Sequence, residues 1–386
     1  MLIKNDLKQL AYKMKEYRRE LHRIPELAFQ EVKTSKYIAD SLREIGVDFE
    51  EQVIGTGIIA HIKGREGKRT LAFRADMDAL EIEEKNASDY ISSHSGKMHA
   101  CGHDGHMAML IGLAAYLKEN IHQLNDDVVL IFQPAEEGIG GAQPIVEKGF
   151  LKKYHVDEIY GIHIYPGIEE GKMGVKPGPM MSQTGEFDIL IKGVSGHGAM
   201  PHTSIDSVVI AAQLISGLQT IVSRSINPIE PSVVTIGRVI AGERRNVIAG
   251  EAILEGTIRS FSQEVYDKIK QEMENYTKGL RLIHNCEISI IFRDMYPAVE
   301  NDKYLTEELI KGQDPGVIEE IQPVMLAEDF SYYQKSVPGV FLFLGSGSKE
   351  FNHSLHNNRF NFNEDILAFG LNAYINILKQ RGALEK

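Results

Sequence analysis

Cysteine is nearly absent from this chain: Cys101 and Cys286 are the only two. No disulfide framework is available, and the expected setting is a reducing, cytoplasmic compartment, where an isolated cysteine more often serves a metal or a reaction. Long hydrophobic runs are also missing. The longest apolar-looking stretch, Met107 to Leu117, falls short of the ~20 residues that span a bilayer. The opening M-L-I-K-N-D-L-K-Q-L lacks the uninterrupted apolar core of a signal peptide. Nor is there an excess of basic charge. Acidic residues number 54 against 42 basic, a net charge of −12, which speaks against nucleic acid and anionic membranes as partners. Internal repeats and low-complexity tracts are absent.

What is present reads as an ordinary globular chain of 386 residues, 43% apolar and 25% charged, long enough for two domains. Apolar residues at helical spacing predict a helix over 4–21, ending before Ile24-Pro25. Short apolar strands follow at Thr70–Phe73, Val128–Phe132, Glu158–Ile164 and Gly339–Leu344. Helices are predicted over Met107–Leu117 and about Glu364–Gln380. Strands separated by helices indicate an α/β fold, with a mixed central sheet flanked by helices.

From about Ser182 to Pro297 the order changes to strand, helix, strand, strand, helix, strand. That order is the signature of a ferredoxin-like (βαββαβ) unit. The expected architecture is a discontinuous catalytic domain, 1–180 and 298–386, carrying an inserted ferredoxin-like lid and dimerisation domain, 181–297. Pro177-Gly178 and Pro297 are the expected hinge. The alternating strand Ser232–Val239 suits an exposed edge that pairs with a second subunit, giving a homodimer.

Three of the predicted strands lead into metal-binding residue types. They run into Asp76-Met77-Asp78, into Glu136-Glu137, and to His163. Ligands in open α/β sheets bind beyond the carboxyl ends of strands. Between the first two lies M-H-A-C-G-H-D-G-H, residues 98–106, where Cys101 and His103 offer zinc-type ligands on a glycine-permitted turn. His353 and His356 follow the last strand. Singly, each has a structural explanation: Asp78 caps a turn, Cys101 fills a core, Glu136-Glu137 is a solvated pair. Together they converge on one sheet edge and predict a metal centre. His22 and His99 read as structural. Adjacent Glu136 and Glu137 point in different directions, so one can bind a cation while the other moves a proton.

The motifs R-A-D-M-D-A-L, M-H-A-C-G-H-D-G-H, F-Q-P-A-E-E-G, G-H-G-A-M-P-H, N-V-I-A-G-E-A-I-L-E-G-T-I-R and L-H-N-N-R-F closely resemble the dinuclear metallopeptidase family of aminoacylases and glutamate carboxypeptidases. Within it they look most like hippurate hydrolases, auxin-conjugate hydrolases and N-acetyldiaminopimelate deacetylases. The resemblance runs from about Glu20 to the last helix. It implies two divalent cations per subunit, zinc or manganese, with cobalt or nickel as further candidates, held by Cys101, His103, Glu137, His163 and His356. It further implies Glu136 as general base, Asp78 as the carboxylate orienting an imidazole ligand, and His197 as an oxyanion donor, in the partner subunit's site. Asn246 and Arg259 are implied as the grip on a substrate carboxylate. Asp76 and Cys101 depart from the carboxypeptidase side of the family, which has histidine and aspartate there.

The expected function is therefore metal-dependent hydrolysis of the amide bond of N-acyl amino acids. Deacetylation of N-acetyldiaminopimelate is the closest alternative. A thiol hydrolase using Cys101 with His103 is a second class, and a non-catalytic binding protein a third, against which the intact Glu136-Glu137 pair argues.

Overall fold

The computed structural model describes residues 7–313 and 316–385. The chain divides into two compact units: Met1–Gly178 with Glu300–Gln322 and Asp329–Lys386, and Pro179–Val299 with Pro323–Glu328.

An eight-stranded sheet organises the first unit. Its spatial order is Asp48–Val53, Gly57–Ile62, Asp127–Gln133, Thr70–Asp76, Glu158–Glu169, Gly339–Gly347, Met173–Val175 and Ile318–Glu320. The four strands from Asp127–Gln133 to Gly339–Gly347 run parallel, and the Asp48–Ile62 hairpin adds an antiparallel edge, so the sheet is mixed. Its central strands are continuous apolar runs because helices cover both faces. Every residue of Thr70–Asp76 is buried.

The helix expected over Met107–Leu117 runs from His103 to Glu119, and 14 of its 17 residues are buried. It packs on the sheet and against the helices Lys8–His22 and Ile366–Gln380. Each fully buried leucine or isoleucine there contributes roughly 1.5–3 kcal/mol. Its early start has a local cause. Gly102 holds φ 90° at the N-cap, a left-handed conformation that costs glycine nothing, so the chain turns into helix directly after Cys101. The helix expected over 4–21 is Lys8–His22, with residues 4–6 outside the described residues.

The second unit is built on a four-stranded antiparallel sheet in the order Ser232–Ala241, Glu251–Ser260, Gln183–Lys192, Glu287–Asp294. Two helices pack on it, Ser207–Thr220, capped by Asp206, and Gln263–His284, capped by Ser262. Alternation along Gln183–Lys192 sends Phe187, Ile189 and Ile191 into a core shared with Ile210, Leu214 and Leu218. Among the described residues one helical run, Ser207–Ser225, is long and apolar enough to cross a membrane, more so than Met107–Leu117. Its buried side chains lie in this core. Residues 323–328 join the same unit, with Val324 N–H donating to the Met180 carbonyl and Ser182 Oγ to the Met325 carbonyl.

Candidate metal centre

Strand ends in the first unit deliver the predicted residues to one place. Thr70–Asp76 passes directly into Met77-Asp78, and Asp127–Gln133 into Pro134–Glu137. His163 arrives differently from the expectation that its strand stops there. The strand continues to Glu169, but its pairing with Thr70–Asp76 ends at Gly161, opposite Arg74. His163 therefore stands past that edge while still paired with Phe343 on its other side.

Ligand atoms of Cys101, His103 and His163 lie within 4.8 Å of one another, as do those of Cys101, Glu137 and His356, and of His103, Glu136 and Glu137. Cys101 Sγ is 3.5 Å from His163 Nε2, and His356 Nε2 is 3.0 Å from Glu137 Oε1. Hydrogen bonds fix the tautomers of two imidazoles. His103 Nδ1 lies 2.8 Å from the Asp78 carbonyl, and His163 Nδ1 lies 2.8 Å from the Ile164 carbonyl. A carbonyl can only accept, so Nδ1 carries a proton in each ring and Nε2 is the nitrogen left to face a cation. His103 Nε2 is buried with no hydrogen-bond partner among the described residues.

Asp78 acts in two ways. Its main-chain carbonyl, rather than its carboxylate, makes the close contact to His103; the carboxylate Oδ1 is 3.6 Å from the same nitrogen. The carboxylate instead accepts the amides of Glu136 and Glu137, both at 2.9 Å, and so fixes the loop that carries them. Glu31, which sequence reasoning passed over, holds the preceding residue. Its Oε1 accepts the Ala135 amide at 2.9 Å, at a residue with φ 61°, and Thr56 Oγ donates to its Oε2. Burial pushes the Glu31 carboxyl up to about 7. Arg74, Asp76, His106 and Asp329 form a further buried network beside the centre. Nothing in the local sequence, A-F-Q-E-V-K around Glu31 and L-A-E-D-F-S around Asp329, marked either residue.

The electrostatics suit a cation. Burial raises the Cys101 thiol well above its ordinary value, and Glu137 and Glu136 add to the rise. Burial opposes protonation of His103, yet Asp76 and Asp78 outweigh it and push that imidazole up to about 10. Burial holds His163 well below its usual range, so it stays neutral. Burial would raise Glu137, but His356 and His103 hold it down. The cluster therefore favours positive charge, and a proton on His103 competes for the place of a metal ion.

The predicted residues of the second unit lie apart from this set in the chain. The short strand Val247–Ile248 pairs with Gly196–His197, and the Asn246 carbonyl accepts the Gly198 amide at 2.9 Å, so His197 and Asn246 are neighbours, both exposed. Arg259 is half-buried on Glu251–Ser260, where burial lowers its pKa. His22 and His99 are buried: His22 lies between Asp104 and Glu84, while burial brings His99 down to about 3.

A thiol, three imidazoles and a carboxylate, with an unpartnered His103 Nε2 among them, are the donor set of borderline divalent cations. Comparison with known proteins agrees. The model of peptidase family M20/M25/M40 matches residues 72–380. An N-acetyldiaminopimelate deacetylase of Halalkalibacterium halodurans is 39% identical over 366 residues, 94% of this chain and 97% of that protein. Thermostable carboxypeptidase 2 of Saccharolobus solfataricus is 37% identical over 380 residues, covering 96% of each. The crystal structure of the YXEP protein of Bacillus subtilis, a dinuclear metal binding peptidase from the M20 family, superposes with a TM-score of 0.84 at 34% identity. It covers 96% of this chain and 98% of that one.

Proposed function

The chain belongs to peptidase family M20/M25/M40, and from that premise we propose that it is an amidohydrolase of N-acyl amino acids working with two divalent cations. Cys101, His103, Glu137, His163 and His356 would hold zinc, manganese, cobalt or nickel. Divalent cations held there would supply Lewis acidity toward a carbonyl and a bound water. Glu136 takes the proton of the attacking water and returns it to the departing amine. Its carboxylate is buried within 4.8 Å of ligand atoms of His103 and Glu137, and its amide is tied to Asp78. His197 accepts the Ala199 amide through Nδ1 at 3.1 Å, which leaves its proton on Nε2 as a donor for a developing oxyanion, in the partner subunit's site. Arg259 and Asn246 are assigned to the substrate carboxylate.

The observation that carries this reading is the pair of imidazoles, each fixed by a carbonyl, whose Nε2 atoms join Cys101 beside two glutamates. The thiol-hydrolase reading loses support, because burial and two carboxylates disfavour the Cys101 thiolate that such chemistry needs.

Two further features complete the proposal. Residues 181–297 serve as a ferredoxin-like lid and dimerisation domain between the catalytic segments 1–180 and 298–386, in keeping with the strand order of the second unit. The strand Ser232–Ala241 has no partner on its outer side among the described residues and exposes Val239 and Ile240, which suits pairing with a second copy. The few cysteines suit a cytoplasmic home.

For substrate, relatives named N-acetyldiaminopimelate deacetylase favour that molecule as the first to test. The deciding assay measures turnover of N-acetyl-diaminopimelate, hippurate and other N-acyl amino acids with each metal supplied to chelator-stripped protein. Turnover is expected with metal and lost without it. Hydrolysis of none of them under any metal would overturn the reading.

A further inference from the structure

Beside the centre lies a fully buried cluster that offers no atom to a substrate: Arg74, Asp76, His106, Gln133 and Asp329. Arg74 donates to Asp76 Oδ2 at 2.7 Å, to Asp329 Oδ1 at 2.7 Å and to Gln133 Oε1 at 2.9 Å. Asp329 also accepts the Gln133 amide group and the Ala142 N–H, so the guanidinium is anchored from several strands and loops. The other oxygen of Asp76, Oδ1, is 2.6 Å from His106 Nδ1. The far nitrogen, Nε2, accepts the Ile164 amide at 2.8 Å, which places the imidazole proton on Nδ1, toward Asp76. Ile164 in turn accepts His163 Nδ1 through its carbonyl. The rings of His106 and His163 meet edge to face at 4.6 Å between centroids.

We propose that Asp76 and His106 are positioning residues that set the ring of His163 through the Ile164 backbone. The inference rests on the reading of His163 as a cation ligand. Asp76 itself is no ligand in this arrangement: both of its oxygens are engaged, by Arg74 and by His106, and it lies 3.8 Å from His103 Nδ1, the nitrogen turned away from the cation side. One carboxylate thus addresses two ligand-bearing imidazoles, His103 by its charge and His163 by a chain of hydrogen bonds. Partners behind a ligating histidine typically change metal affinity by ~10–100-fold when lost.

The test compares His106→Phe, which fills the ring's volume but can neither accept from Ile164 nor donate to Asp76, with His106→Gln, which can do both. Zinc affinity is read by competition with a chromophoric chelator, and ligand geometry by the visible absorption of the cobalt-loaded protein. Wild type is expected to bind two ions. His106→Phe should bind one of them ~10–100-fold more weakly with an altered cobalt spectrum, and His106→Gln should recover most of both. Should His106→Phe fail to fold, Asp76→Asn, which keeps the shape but removes the charge, should weaken binding and move the same spectrum. Folded variants with wild-type affinity and spectrum would overturn the relay while leaving the centre intact, as would a glutamine variant no better than phenylalanine. A wild type that binds no divalent cation would overturn the centre as well.

Discussion

At the scale of single residues, two neighbouring glutamates have different work in the proposed reaction. Glu136 and Glu137 are held by the same Asp78 carboxylate through their amides, so their side chains are aimed independently from a common anchor. Glu136→Gln should retain both cations, since the proposed ligands are untouched, and lose ~10²–10⁴-fold in turnover, the usual worth of a positioned proton carrier. Metal content measured alongside kcat checks this; a glutamine variant with comparable turnover would remove Glu136 from its role. Glu137→Gln should behave oppositely and lose cation, because a neutral amide replaces the carboxylate facing Cys101 and His356.

At the scale of elements, the loop after Asp127–Gln133 depends on close backbone contact. A Cβ on Gly141 would lie 1.9 Å from the Pro134 carbonyl oxygen, which is main chain and cannot swing aside. Gly141→Ala should therefore displace the Pro134–Glu137 loop and weaken cation binding by at least about tenfold, of the order seen when a ligand's support is lost. Gly149→Ala is the matched control. Its φ is +77° and its Cβ would meet nothing, so it should lower stability by ~1 kcal/mol through backbone strain alone and leave cation affinity unchanged. Calorimetric melting and a metal titration on both variants separate displacement from strain. The helix His103–Glu119 shows the same dependence on local geometry. Its apolar run was legible in the sequence, but its start was not, because that is set by the left-handed turn at Gly102 rather than by periodicity.

At the scale of the whole molecule, Glu31 links stability to pH. Its folded pKa of about 7 exceeds the ordinary 4.5, so the folded state keeps a proton that the unfolded chain has already released. This contribution is fully present below pH 4.5 and is lost as pH rises through about 7; the shift corresponds to ~3 kcal/mol. Chelator-stripped protein should lose melting temperature across that window, and Glu31→Gln should flatten the loss. Equal slopes in the two proteins would refute the assignment. Assembly is tested at the same scale. The proposed pairing through the Ser232–Ala241 edge predicts that wild type has the mass of a dimer by light scattering and that Val239→Lys halves it, since a buried lysine opposes pairing; a monomeric wild type or an unchanged mass in the variant would overturn it.

Much of this was written in the chain itself. Alternation and apolar runs specify which segments become strands and helices, because a residue's burial repeats with the period of its element. The candidate side chains could be named because carboxylates and an imidazole follow three of those strands, while a thiol and further imidazoles fall in the loops between them. Only the tertiary structure decided how the groups are used. Which carbonyl fixes each imidazole, that Asp78 clamps two amides, that Glu31, Arg74 and Asp329 stand behind the centre, and that 323–328 returns to the second unit all depend on contacts between distant segments. Sequence periodicity carries no record of such pairings, because a hydrogen bond's energy depends on the distance and angle at which two remote atoms finally meet.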